Sequence, residues 1–208
     1  NGIVVEMAAE VLTIVKDTPV LAGVCGTDPF RQMSVFLSEL RRLGFAGVQN
    51  FPTVGLIDGE FRANLEATGM GYGLEVAAVR TAHELDLFTS PYVFDEESAI
   101  AMAEAGADML VCHVGLTNSG SIGAGVALTL DDAIARVLQM AAAARMVRPE
   151  ILAICHGGPF DEPDNVSTAL ARMPGIAGFF GASSIERLPT ERAIQNQVAA
   201  FKSIALSS

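Results

Sequence analysis

Tryptophan is absent from this 208-residue chain, tyrosine occurs twice, and aromatic residues make up only 6% of it. Basic residues are also scarce, 13 Lys and Arg against 24 Asp and Glu, for a net charge of −11. A chain this acidic, with a pI near 4.6, lacks the positive footprint that holds nucleic acid or an anionic lipid surface. No basic stretch followed by an apolar run opens the sequence, so no secretory signal is read and a cytoplasmic location is expected. The longest span without Asp, Glu, Lys or Arg runs from Met109 to Leu130. It contains Thr117-Asn-Ser-Gly-Ser-Ile-Gly-Ala-Gly125, which is loop chemistry and excludes a transmembrane helix there. The three cysteines, Cys25, Cys112 and Cys155, end apolar runs without metal-finger spacing. They read as small buried hydrophobes in a reducing compartment.

What the chain does have is aliphatic bulk: half the residues are hydrophobic and mean hydropathy is +0.40. That suits a sheet buried on both faces. Two segments echo one another, Leu110-Val-Cys-His-Val-Gly115 and Ala153-Ile-Cys-His-Gly-Gly158. Each reads as a buried parallel strand whose carboxyl end carries a histidine, where α/β barrels and open α/β sheets place their chemistry.

Around them the pattern is one helix followed by six strand–helix units. Strands are expected at 20–24, 46–49, 87–93, 108–113, 150–156 and 176–180. Pro29 is read as opening a helix with Phe30, Met33, Leu37, Leu40 and Leu43 on its inner face, closed by Gly44. Asp95 caps one later helix, and Thr129 with Asp132 forms a capping box for another. No linker or composition break divides residues 1–208, so a single domain is expected. A closed (β/α)8 barrel needs eight strands. With six visible, these would be strands three to eight, the first two lying about 50–80 residues upstream at the usual size of the fold. Without them both sheet edges would be exposed. An open six-stranded sheet is the alternative.

The motifs Gly26-Thr-Asp-Pro-Phe30, Gly44-Phe-Ala-Gly-Val-Gln-Asn-Phe-Pro-Thr-Val-Gly55, Ser90-Pro-Tyr-Val-Phe94, Gly106-Ala-Asp-Met-Leu-Val-Cys-His113, His156-Gly-Gly-Pro159 and Gly178-Phe-Phe-Gly-Ala-Ser-Ser-Ile-Glu-Arg-Leu-Pro189 follow in order. Together they resemble the phosphoenolpyruvate hydrolase-like TIM-barrel proteins, also described as TIM-barrel signal-transduction proteins. The resemblance implies a TIM barrel and a hydrolase or lyase acting on a small phosphorylated or carboxylated keto acid, or a non-catalytic anion-binding module. It also brings in a divalent metal such as Mg²⁺. The Asp-x-Asp-x-Gly metal motif and Lys-Cys-Gly-His lid of the phosphoenolpyruvate mutase and isocitrate lyase enzymes are missing from these residues.

Under that barrel reading His113 and His156 stand on adjacent strands, close enough to touch one ligand: either one of them acts as general acid or base near the ordinary pKa of about 6.5, or both are satisfied core histidines. If the histidines face the barrel axis, Cys112 and Cys155 face the helices. The loops Gly157-Gly-Pro159 and Gly181-Ala-Ser-Ser184 offer backbone amides to an anion, so Gly157, Gly158, Gly181, Ala182 and Ser183 are candidate ligands. Ser183 and Glu186 also make a capping-box pattern. Asp28 is either a catalytic carboxylate or the N-cap before Pro29. Asn50 either bonds a substrate carbonyl or takes a left-handed turn, and Tyr92 either walls the pocket or fills the core. The expected partner is a small anionic metabolite, with assembly into a homo-oligomer; nucleic acid and membrane are not expected.

Overall fold

The computed structural model describes residues 1–121, 123, 125 and 128–205. Of the loop read at 117–125, Ile122 and Ala124 lie outside the described residues. The elements run α1 (Gly2–Ile14), β1 (Leu21–Gly23), α2 (Met33–Leu43), β2 (Gly47–Gln49), a 3-10 turn (Val54–Leu56), α3 (Gly59–Ala67), α4 (Tyr72–Glu84), β3 (Phe88–Thr89), β4 (Tyr92–Val93), α5 (Glu96–Glu104), β5 (Met109–His113), α6 (Leu130–Val147), β6 (Leu152–His156), α7 (Pro163–Arg172), β7 (Gly178–Phe179) and α8 (Arg187–Lys202). The strand orders are β1-β2-β3 and β4-β5-β6-β7, and the pairs β1–β2, β2–β3 and β4–β5 are parallel. Among the described residues no helix is long and apolar enough to cross a membrane.

Contacts divide the chain into two compact units. The first comprises Asn1–Cys112 and Gln139–Ile154, the second His113–Leu138 and Cys155–Ser208.

In the first unit the core forms where α2 lays Phe36, Leu37 and Leu40 against Ala22, Val24 and Val48. These positions recur at helical spacing, and each fully buried leucine contributes about 1.5–3 kcal/mol by leaving water. Gly44 ends α2 in the left-handed conformation, φ 104°, and its N–H returns to Arg41 O. The helix does not open at Pro29. Asp28 spends its carboxylate on the Phe30 N–H, 2.9 Å away, and on Asn1 Nδ2, 2.8 Å away, so the chain turns there and α2 starts at Met33. Phe30 is consequently 93% exposed, Leu43 is also exposed, and Phe36 takes the inner position.

The expected strand at 87–93 is two strands. Ser90 N–H makes the last ladder bond, to Val48 O at 3.0 Å. Pro91 has no N–H to continue that ladder, although its carbonyl still accepts from Val111 at 2.9 Å. Beyond it the Asn50 side chain replaces the backbone of β2. Its Oδ1 accepts the Tyr92 N–H at 2.6 Å, and its Nδ2 reaches Tyr92 O at 3.4 Å. Asp95 and Ser98 make a capping box on α5; on α6 Thr129 Oγ1 accepts the Asp132 N–H and its hydroxyl donates to the Asp132 carboxylate, which gives the cap but only one bond of the expected box.

In the second unit Val114 N–H donates to His156 O at 3.1 Å and Phe180 N–H donates to Cys155 O at 2.9 Å, aligning the carboxyl ends of β5, β6 and β7. Proline at its first position starts α7, which buries Ala169.

Candidate functional site

His113 and His156 end β5 and β6, and the backbone bond between those strand ends brings their rings to 4.8 Å between centroids, 60° apart. Both are buried. Each ring is oriented by a backbone group. The Gly115 N–H donates to His113 Nδ1 at 3.1 Å, which makes that nitrogen an acceptor and leaves the proton of the neutral ring on Nε2. His156 Nδ1 lies 2.8 Å from Phe180 O, and a carbonyl can only accept. His156 therefore carries its proton on Nδ1 and its lone pair on Nε2. The two imidazoles are opposite tautomers.

Their electrostatics differ from the expected titration near 6.5. Burial, reinforced by the neighbouring His156, pulls the His113 pKa down to about 3. Burial also lowers His156, opposed by its bond to Phe180. His113 is thus a neutral N–H donor across the ordinary pH range and not a titrating acid. The neighbouring Cys112 and Cys155 are fully buried, and burial raises the Cys155 thiol to about 11, so it is no thiolate.

The two glycine loops behave differently. Gly157 and Gly158 lie in the left-handed region, φ 80° and 53°. The Gly158 N–H is consumed by Gly115 O at 2.9 Å, so this amide is turned inward and does not face an anion. At Gly157 a Cβ would lie 2.1 Å from Gly115 O, which only glycine avoids. From Gly181 to Ser184, by contrast, no backbone N–H is hydrogen-bonded among the described residues; internal bonding begins with Ile185 N–H to Ala182 O at 2.8 Å. Ser183 and Glu186 form no capping box. Helix α8 starts at Arg187, beyond that pattern, and its N-cap Glu186 makes no side-chain cap bond. The loop follows Phe180, whose carbonyl orients His156.

A polar clasp in the same unit pins the segment after β5. Arg187 donates to Ser119 O at 3.0 Å and pairs with Glu191 at 2.9 Å, while Glu191 accepts from the Ser121 N–H at 3.0 Å and hydroxyl at 2.8 Å. Ser119 bonds Asp161, which also accepts from Asn165 at 3.0 Å.

The remaining candidates belong to the first unit and are engaged internally. Asp28 holds the turn described above; the Phe30 N–H, with Asn1, keeps its carboxyl below the usual range. Asn50 bonds no ligand-facing group and takes no left-handed turn. It joins Tyr92 to Glu75, whose Oε2 accepts from Asn50 at 2.6 Å and Thr53 at 2.7 Å and whose Oε1 accepts the Val54 N–H at 2.8 Å. Glu75, fully buried, went unread in the sequence; burial raises its pKa, against those bonds. The signal was its place on the buried stripe of α4 with Ala78, Val79 and Ala82. Tyr92 is core, its ring 6.0 Å from Phe51 and 6.4 Å from Phe94.

Mg²⁺, which the resemblance brings, takes hard oxygen ligands at six positions. Among the described residues no three His, Cys, Asp or Glu side chains are gathered for a metal, and Asp161 is committed to Ser119 and Asn165. The described residues do not fit that ion, and no step below runs through it.

The comparisons with known proteins agree with the motifs. Residues 1–204 match the family described as phosphoenolpyruvate hydrolase-like. The chain belongs to that family. Two tomato (Solanum lycopersicum) relatives, the ToMV susceptible protein tm-1(GCR26) and the ToMV resistance protein Tm-1(GCR237), are each 55% identical over 206 residues. That match takes 99% of this chain but 27% of either tomato protein. Among solved structures, a type I 3-dehydroquinate dehydratase from Clostridium difficile superposes with a TM-score of 0.50 at 15% identity, over 97% of this chain and 76% of that one. That likeness concerns the fold alone. Family and fold together make this an α/β protein of the TIM-barrel type.

Proposed function

We propose that the chain is a hydrolase- or lyase-like acid–base catalyst acting on a small phosphorylated or carboxylated keto acid. The opposite tautomers of His113 and His156 carry this reading. His156 Nε2 has the lone pair of a general base and takes a proton from water or from carbon. His113 Nε2–H donates to the oxygen on which negative charge grows, and as a neutral imidazole it does so without titrating. The unbonded amides from Gly181 to Ser184 and the Ser183 hydroxyl suit a phosphate or carboxylate beside the base. The test is turnover of phosphoenolpyruvate and phosphonopyruvate, with and without added divalent metals. Loss of the general base should lower kcat by about 100-fold or more in His156→Ala. Absence of turnover under all these conditions, or a His156→Ala enzyme as active as the parent, would remove the catalytic reading.

A second reading rests on the unbonded amides of Gly181 to Ser184 alone: the same loop binds a small anion without transforming it. A thermal-shift screen of phosphorylated metabolites separates the two, because a stabilising ligand recovered unchanged after incubation indicates binding alone.

A further inference from the structure

Among the described residues two buried side-chain donors, Gln49 Nε2 and Ser90 Oγ, have no hydrogen-bond partner. They are neighbours. Val48 pairs with Thr89 across β2 and β3, so Gln49 and Ser90 are the next residues on each strand, and the Ser90 N–H bond to Val48 O continues the ladder. Side by side on parallel strands about 4.8 Å apart, they project to the same face, opposite to Val48 and Thr89. Gly23, registered with Gln49 on β1, adds no side chain to that layer. The layer lies at the carboxyl ends of parallel strands, where open α/β sheets and barrels take their ligands.

Buried donors are normally paired, and leaving one unpaired destabilises the fold. The acceptors nearest in sequence are already used: Asn50 Oδ1 by Tyr92 and both oxygens of Glu75 by Asn50, Thr53 and Val54. Gln49 Nε2 offers two N–H groups and Ser90 one O–H, none of them charged. We infer that Gln49 and Ser90 form a binding site for the carboxylate of a small organic acid, one oxygen to each side chain. A phosphate dianion would call for a cation or a nest of amides, which these two side chains do not supply. The Phe51 carbonyl stands over Gly23, 2.9 Å from where a Cβ would be, and the Phe51 ring is half-exposed.

The site belongs to the first unit and does not depend on the catalytic reading of the histidines. Isothermal titration of the whole chain with pyruvate and with oxalate tests it. The parent should bind at least one acid saturably at millimolar concentration, and Ser90→Ala should weaken it about 10-fold, the value of one hydrogen bond to a charged group. Gln49→Glu, which keeps the shape but adds a negative charge, should abolish binding at pH 7. The melting temperature of free Ser90→Ala should equal or exceed that of the parent, and His156→Ala should bind the same acid or acids as the parent even if it has lost all turnover. No saturable binding of either acid, or affinities unchanged in both Ser90→Ala and Gln49→Glu, would overturn the inference and leave an internal water as the partner of the two donors.

Discussion

The His113 ring stands 4.8 Å from the His156 ring, and the two hold their protons on different nitrogens because one is oriented by an N–H and the other by a carbonyl. The pair can thus offer a donor and an acceptor at once without either ring being charged. Burial maintains that state, and it has a measurable cost in acid.

Unfolded His113 takes its proton near 6.5, whereas folded His113 takes it only near 3. Between those values the unfolded chain binds more protons, so stability is intact above pH 6.5 and falls as pH falls. The slope from this one group approaches about 1.4 kcal/mol per pH unit. His156 adds to it with the same sign. Glu75 acts in the opposite sense above 4.5, because its raised pKa makes the folded chain the better proton binder there. Urea denaturation at pH 7, 5 and 4 should show falling stability in the parent. His113→Asn, which keeps an acceptor for Gly115 N–H, should flatten the fall. An identical acid profile in the two would show that His113 is not held neutral.

Gly157 sets the spacing between the two strand ends. Its φ of 80° and the 2.1 Å approach of a Cβ to Gly115 O both forbid a side chain. Gly157→Ala should cost more than about 2 kcal/mol in a denaturant titration, combining left-handed strain with a backbone clash. Gly115→Ala, where a Cβ meets nothing within 4 Å, carries only the strain of its φ of 121° and should cost less.

The histidine pair is legible in the sequence because it rests on local pattern: two apolar runs of equal build, each closed by Cys-His before glycine. Six strand positions are legible for the same reason, but the single strand expected at 87–93 passes over the break that the missing N–H of Pro91 makes. The start of α2 is not legible. It depends on Asn1 reaching Asp28 from 27 positions away. Nor is the role of Asn50, which is fixed by Glu75 and Tyr92 at separations of 25 and 42. The Ser183–Glu186 pattern shows the converse failure. The spacing is right, but the chain first makes a separate turn, Ala182 O accepting from Ile185 and Glu186, and the helix begins after it.

Asn50 joins Tyr92 to Glu75 inside the first unit. Removing its amide leaves the Tyr92 N–H without its acceptor and Glu75 without one of three donors. Asn50→Ala should therefore lose about 2–4 kcal/mol, the sum of two buried groups left short of partners. Asn50→Asp should depend on pH, because a second carboxylate 2.6 Å from Glu75 Oε2 forces one of the two to stay protonated. Its stability relative to the parent should improve as pH falls from 8 to 5, and a constant difference over that range would show that Glu75 does not sense position 50.

The Arg187–Glu191 clasp holds the backbone of Ser119 and Ser121, six and eight residues after His113. The Ser121 N–H, then Arg187 and the Ser121 hydroxyl, draw Glu191 down to about 2, so the contact persists through neutral and mildly acidic solution and is released only as pH falls through that value. Glu191→Gln removes the charge while keeping an oxygen for the Ser121 N–H, and it breaks the pairing with Arg187. Gly120 lies beneath that guanidinium, where a Cβ would be 2.2 Å from Arg187 Nη1. The segment is thus packed under Arg187 as well as bonded to it, and loosening the arginine frees both restraints. Hydrogen exchange at pH 7 should show the amides of residues 119–121 exchanging faster in Glu191→Gln than in the parent, with α7 unchanged. Unaltered protection of those amides would mean that packing alone holds the segment and that the ion pair contributes nothing to its order.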